Sequence, residues 1–254
     1  MTKFYQAFST LVVILLLAAC SKDDPLPAPV PNFFTDPDVV EVGVPVMFDN
    51  LSTNAARYEW IFGDSSNIST EISPTVTFEN AGTVTVTLRA FTEDDQMVES
   101  SKDVRVMERV LTGYFISFFP TTNGTDPWDP GEAGDEQFPD IFVILAPTAD
   151  PASDNSMIQG IFGNLGGAFG NAVDPSSNRV VLTDEDWDFR LFDFDGDPDN
   201  IDLQESEGVA GVTFNPVQAP TIKNSEGDAG FVNILLVDNT TNEVFEIDFN
   251  FELQ

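Results

Sequence analysis

The sequence predicts an all-β chain: two consecutive β-sandwiches that follow a cleaved leader and a proline-rich linker. First, apolar residues recur at every second position. Val40, Val42, Val44, Val46 and Phe48 alternate with Glu41, Gly43, Pro45 and Met47, and Phe245, Ile247, Phe249 and Phe251 alternate with Glu246, Asp248, Asn250 and Glu252. That is the period of a strand with one buried face. Second, turn-forming clusters at 50–54, 63–66, 80–82 and 93–95 separate these runs at short, regular spacing, as in a sandwich. Third, no stretch carries a helical stripe, and the glycine-rich segment 156–169 is expected to hold at most one turn of helix.

Composition narrows the chemistry. The 254 residues include 43 acids, 10 bases and no histidine, for a net charge of -33. Without imidazole there is no Ser-His triad, Cys-His pair or histidine-ligated zinc. The single cysteine excludes an intrachain disulfide and a thiolate-rich metal site. The negative charge argues against nucleic acid and anionic membrane, whose phosphates would be repelled. A hydrophobic content of 42%, with 23 phenylalanines, supplies enough apolar surface for a core.

Residues 1–19 read as a secretory leader: one charge, Lys3, then a nine-residue apolar run from Leu11 to Ala19, too short to span a bilayer. Leu17-Ala18-Ala19-Cys20 resembles the bacterial lipoprotein box, which implies that Cys20 is lipidated and begins the mature chain. Multiple acyl chains give stable anchoring. The acidic cluster Ser21-Lys22-Asp23-Asp24 resembles the surface-export signal of Bacteroidota lipoproteins. Together these resemblances imply an outer-membrane lipoprotein exposed at the cell surface. Residues 20–31 form the linker, whose Pro25-Leu26-Pro27-Ala28-Pro29-Val30-Pro31 is an extended, semi-rigid spacer.

Residues 32–107 form the first sandwich. Val84, Val86 and Leu88 alternate with Thr83, Thr85 and Thr87, and Val104 and Val106 give a last short strand. Trp60 and Phe62 share one strand face and are read as core rather than a sugar platform, and Asp64 as the cap of the following turn. Trp60-Ile61-Phe62-Gly63-Asp64, Pro74-Thr75-Val76-Thr77-Phe78 and Gly82-Thr83-Val84-Thr85-Val86-Thr87-Leu88 resemble the W-x-F-G-D-G, P-x-H-x-Y and G-x-Y-x-V-x-L motifs of the polycystic kidney disease (PKD) domain. The departures, Ser65, Val76, Phe78 and Val84, keep size or apolarity. The resemblance implies an Ig-like spacer or interaction module with no catalytic residue.

Residues 108–254 form the second sandwich, with 28 acids against 4 bases. Strands are expected at 111–119, 141–145, 179–182, 187–194, 209–214, 231–237 and 244–252. Trp187 is read as core. Trp128, in a polar turn, either folds back onto its loop or stacks a sugar or partner side chain. Two acid-rich segments, 126–140 and 193–202, fall between strands. Crowded carboxylates repel, and a hard divalent cation with six to eight oxygen ligands relieves that repulsion. An EF-hand register fails in the second segment: counting from Asp193, position 6 is Pro198 and position 12 is Gln204. Asp135 followed by Pro139-Asp140-Ile141-Phe142-Val143, and Leu191-Phe192-Asp193-Phe194-Asp195 followed by Asp199, resemble the calcium-binding loops of the C-two (calcium-dependent lipid-binding) domain. The resemblance implies calcium ligation by Asp135, Asp140, Asp193, Asp195 and Asp199. The order of Asp and Pro at 139–140 is reversed relative to that family. Its basic lipid-facing patch is missing, since only Arg109, Arg179, Arg190 and Lys223 are available, so calcium carries over better than phospholipid.

The function expected is therefore a non-catalytic, surface-anchored binding or adhesion module whose distal loops are ordered by calcium, with a polysaccharide or a surface protein as ligand. The alternative is a small glycoside hydrolase, for which two carboxylates suffice, or a glycan-binding accessory protein. A third reading is calcium-dependent lipid association, which the net charge opposes.

Overall fold

The computed structural model describes residues 26–64, 66–117, 122–123, 126–127, 141–162, 169–173, 176–194, 206–237 and 244–254. The chain is all-β, and no helix occurs among the described residues. The first domain comprises β1 (Phe33–Asp36), β2 (Val40–Glu41), β3 (Val46–Asn50), β4 (Arg57–Phe62), β5 (Ile68–Ser69), β6 (Thr75–Val76), β7 (Gly82–Phe91) and β8 (Met97–Met107). They form a sheet in the order β1-β3-β6 and a second in the order β2-β8-β7-β4-β5.

Between these sheets lies an aromatic core. Trp60 is fully buried, with the Phe33 ring edge-on at 5.1 Å and Phe48 at 6.0 Å. Trp60 and Phe62, two residues apart on β4, stack at 6.3 Å, which places both in the core as their spacing requires. The Trp60 indole N–H donates to the Glu71 carbonyl at 3.0 Å. Asp64 caps its turn, accepting from the Ser66 backbone N–H at 2.8 Å.

Two sequence expectations shift here. The alternating run 40–48 is not one strand. Gly43, at φ +77°, closes a turn in which the Val44 N–H bonds to the Glu41 carbonyl at 3.2 Å. The two halves go to different sheets: glycine takes the left-handed conformation and Pro45 offers no ladder donor. The last strand is also far longer than Val104 and Val106 indicate. Residues 97–103 are mostly exposed and join the ladder through polar pairs: Thr85–Asp103 at 2.7 Å, Thr87–Ser101 at 2.8 Å and Arg89–Glu99 at 3.2 Å. The end of the proline-rich segment is itself docked. Val30 exchanges two backbone hydrogen bonds with Thr53, at 2.9 and 3.1 Å, and Leu51 donates to Asn32 at 2.8 Å.

The second domain comprises β9 (Arg109–Ile116), the two-residue strands β10 (Thr122–Asn123) and β11 (Asp126–Pro127), β12 (Ile141–Pro147), β13 (Met157–Phe162), β14 (Phe169–Ala172), β15 (Trp187–Phe194), β16 (Ser206–Phe214), β17 (Thr221–Lys223), β18 (Ala229–Val237) and β19 (Val244–Leu253). A five-stranded sheet in the order β14-β9-β19-β18-β17 faces a four-stranded sheet in the order β13-β12-β15-β16. Inward residues of both, among them Tyr114, Val143, Trp187, Phe189, Ile247 and Phe249, share one core. Phe189 meets Phe249 edge-on at 5.0 Å across it. β12 is buried on nearly every residue, as its unbroken apolar run demands.

Here too the pattern has gaps. β13 and β14 occupy ground read as glycine-rich loop with at most a helical turn; they are edge strands, and ladder hydrogen bonds to β12 and β9 do not require an alternating sequence. The strand expected at 179–182 is reduced to a bridge between Val181 and Val110.

Replacing Trp60 with alanine is expected to lower the unfolding free energy by about 3–5 kcal/mol in urea titrations, whereas Phe115→Ala, 43% exposed, should change it by no more than about 0.5 kcal/mol.

Candidate functional site

The two acid-rich segments border strands that lie side by side. β12 and β15 are antiparallel neighbours, with Ile141 opposite Asp193 and Pro147 opposite Trp187. The chain enters β12 directly after Asp140 and leaves β15 directly before Asp195. β16 joins at the same end, with Glu207 opposite Asp193 and Ser206 opposite Phe194. Three strand termini bordered by acid-rich sequence are thus gathered at one pole of the four-stranded sheet, where opposing Cα atoms lie about 4.5–5.5 Å apart.

Of the expected ligands, the structure describes the backbone of Asp193 alone. Asp135, Asp140, Asp195 and Asp199 lie outside the described residues, as do Cys20 and Trp128. Among the described residues there is no group of three or more potential metal ligands.

The opposite pole meets the first domain. Only Glu108 separates β8 from β9, and its backbone exchanges two hydrogen bonds with Gln254, at 2.9 and 3.0 Å. From the first domain, Glu41 reaches into the joint with its side chain 1% exposed. Its Oε1 accepts from the Arg109 Nε at 2.6 Å and its Oε2 from the Lys223 Nζ at 2.7 Å. Arg109 donates further to the Pro216 carbonyl and to Thr221 Oγ1, and its guanidinium lies over the Phe251 ring at 4.2 Å. A cleft of about 530 Å³ opens beside this cluster, lined by Phe34, Asp36, Asp38, Lys223, Asn224 and Glu226 among others. The distal end of β15 lies seven residues from Trp187, about 23 Å along the strand.

In the sequence Glu41 is one of the residues that alternate with the apolar positions of 40–48, and nothing local marks it for burial. The signal that bears on it is the shortage of bases: with 28 acids and 4 bases in residues 108–254, each base is a scarce counterion. All four are paired. Arg109 and Lys223 hold Glu41, Arg179 pairs with Glu108 at 2.7 Å, and Arg190 with Asp188 at 3.4 Å. Each base of this domain therefore has an acidic partner within the chain, Arg179 and Arg190 in exposed pairs and Arg109 and Lys223 at the joint.

With this geometry established, comparison with known proteins bears on the first domain. Residues 26–107 match the PKD domain family. The PKD1 domain of the Vibrio cholerae metalloprotease PrtV is 31% identical, covering 32% of this chain and 98% of that one with a TM-score of 0.28. The PKD1 domain of Vibrio anguillarum Epp is 26% identical over 32% of this chain and 96% of that one, also at 0.28. A carbohydrate-binding module of the β-sandwich superfamily aligns with 91% of this chain and 93% of its own, at 12% identity and a TM-score of 0.31. No curated protein matches the chain.

On β15, Asp188 sits opposite Thr213, whose hydroxyl donates to it at 2.5 Å. That bond, aided by Arg190, holds the Asp188 carboxyl below its ordinary value of 3.8. A carboxyl more acidic folded than unfolded stabilises the fold above the unfolded pKa, and the gain is lost as pH falls through the folded one. Asp188→Asn is therefore expected to lower the melting temperature at pH 7, and the difference from the parent chain should close below about pH 3.8 in calorimetry.

Proposed function

We propose that this chain is a non-catalytic cell-surface lipoprotein that works as a binding or adhesion module, with calcium ordering the acidic loops of its distal sandwich. The observation that carries the reading is the register of β12 against β15. Ile141 opposite Asp193 sets the end of one acid-rich segment beside the start of the other, at the pole away from the PKD domain. Carboxylates brought together on adjacent strand ends repel, and a hard divalent cation offers six to eight oxygen sites to relieve that repulsion. Asp135, Asp140, Asp193, Asp195 and Asp199 are the proposed ligands. Cys20 is the proposed point of lipid attachment to the outer membrane. The ligand of the ordered loops is a polysaccharide or a surface protein rather than nucleic acid or phospholipid, whose phosphates the net charge of -33 repels.

Calcium that binds the folded chain alone stabilises it by mass action. Thermal unfolding of the chain from residue 21, in calcium at about 100 times the dissociation constant, is expected to shift upward by about 2.7 kcal/mol, or roughly 5–10 °C, relative to chelator. Asp193→Asn and Asp195→Asn should each shrink that shift; identical midpoints in calcium and EDTA would refute the metal. In cells, Cys20→Ala should move the protein from the membrane to the soluble fraction, and membrane retention of that variant would refute the anchor.

A further inference from the structure

We infer that Glu41 is an orientation lock, which fixes the second sandwich at one angle to the first and makes the two domains a single cooperative unit. The lock is built from opposite sides. Arg109 is already immobilised within the second domain, its Nη1 on the Pro216 carbonyl and Thr221 Oγ1 and its face on Phe251. What that domain does not supply is a carboxylate for Nε. Glu41 of the first domain brings it, and its other oxygen takes Lys223, so each carboxylate oxygen has its own cation.

Both partners of the inner pair are sealed from water, the Arg109 and Glu41 side chains being 2% and 1% exposed. Removing one partner of such a pair strands the other as a buried charge, whereas replacing both by apolar side chains is often neutral. The attested use of a buried ion pair is thus registry rather than stability, because apolar surfaces tolerate sliding and a two-point charge contact does not.

Independent contacts reinforce the angle. Val39 and Met107 pack onto the core of the second domain. Gly43 approaches Asp184 so closely that a Cβ there would stand 2.9 Å from the Asp184 Cβ. Gly227, at φ +77°, brings the β17–β18 turn against Val39. With only Glu108 between β8 and β9, any change of angle pivots on that one residue.

The chain has a single cysteine, Cys20, so the protein from residue 21 accepts site-specific spin labels without interference. Labels at Ile68→Cys in the first domain and Ile158→Cys in the second, both exposed, should give one narrow distance distribution by pulsed electron resonance, and calorimetry should show a single transition. Glu41→Gln is expected to lower that transition by about 10 °C or more and to broaden the distribution. The double variant Glu41→Leu/Arg109→Met removes both buried charges and leaves only Lys223, whose side chain is 28% exposed. It should recover most of the melting temperature while the distribution stays broad, and it serves if Glu41→Gln does not fold. A broad distribution in the parent chain, or a parent-like narrow one in either variant, overturns the lock.

Discussion

A carboxylate with no access to water has to be met by cations, and that constraint organises this molecule. Glu41 belongs to a two-residue strand of the first domain, yet its partners, Arg109 and Lys223, belong to the second. The first of these starts β9, the second strand of the five-stranded sheet; the second ends β17 at that sheet's edge. Fixing both to one carboxylate fixes the sheet. The facing sheet follows through the shared core, and with it the direction in which β12, β15 and β16 present their acid-flanked ends.

The same arithmetic of charge explains the character of the second domain. Its bases are all consumed in ion pairs near the joint or on the sheet face, so the far pole has no positive side chain among the described residues to balance its carboxylates. The divalent cation proposed above would supply that missing positive charge. The first domain is acidic too, with 13 acids and 4 bases over residues 32–107, and its Arg89 is shared between Glu59 and Glu99.

How much of this the sequence discloses depends on which physical force sets each feature. Burial of apolar side chains leaves a periodic trace, so β12, β15, β18, β19 and the Trp60–Phe62 core are all legible. Backbone pairing leaves none: β13 and β14 are held by ladder hydrogen bonds in glycine-rich sequence, and the outer half of β8 by threonine, serine and charged pairs. Turn chemistry can also mislead, as where Gly43 and Pro45 cut an alternating run that looks continuous. The crowding of acids at 126–140 and 193–202 is evident from composition, and the register of Ile141 with Asp193 adds their shared edge. Glu41 is invisible to any local reading, because what buries it lies 68 and 182 residues away. Only the imbalance between acids and bases hints that a lone arginine at a domain boundary needs an anion.

The pairing of Val30 with Thr53 has a mechanical consequence. Stapled by two backbone hydrogen bonds to the side of the first domain, Val30 ends whatever leash precedes it, although the proline-rich stretch continues to Pro31. Val30 comes ten positions after Cys20, and a fully extended chain covers at most about 3.3–3.6 Å per residue. The tether proposed at Cys20 would therefore let the folded part roam a shell no more than about 35 Å deep, comparable to the thickness of one bilayer. Its reach beyond that shell comes from the length of the folded arm and not from slack in the tether.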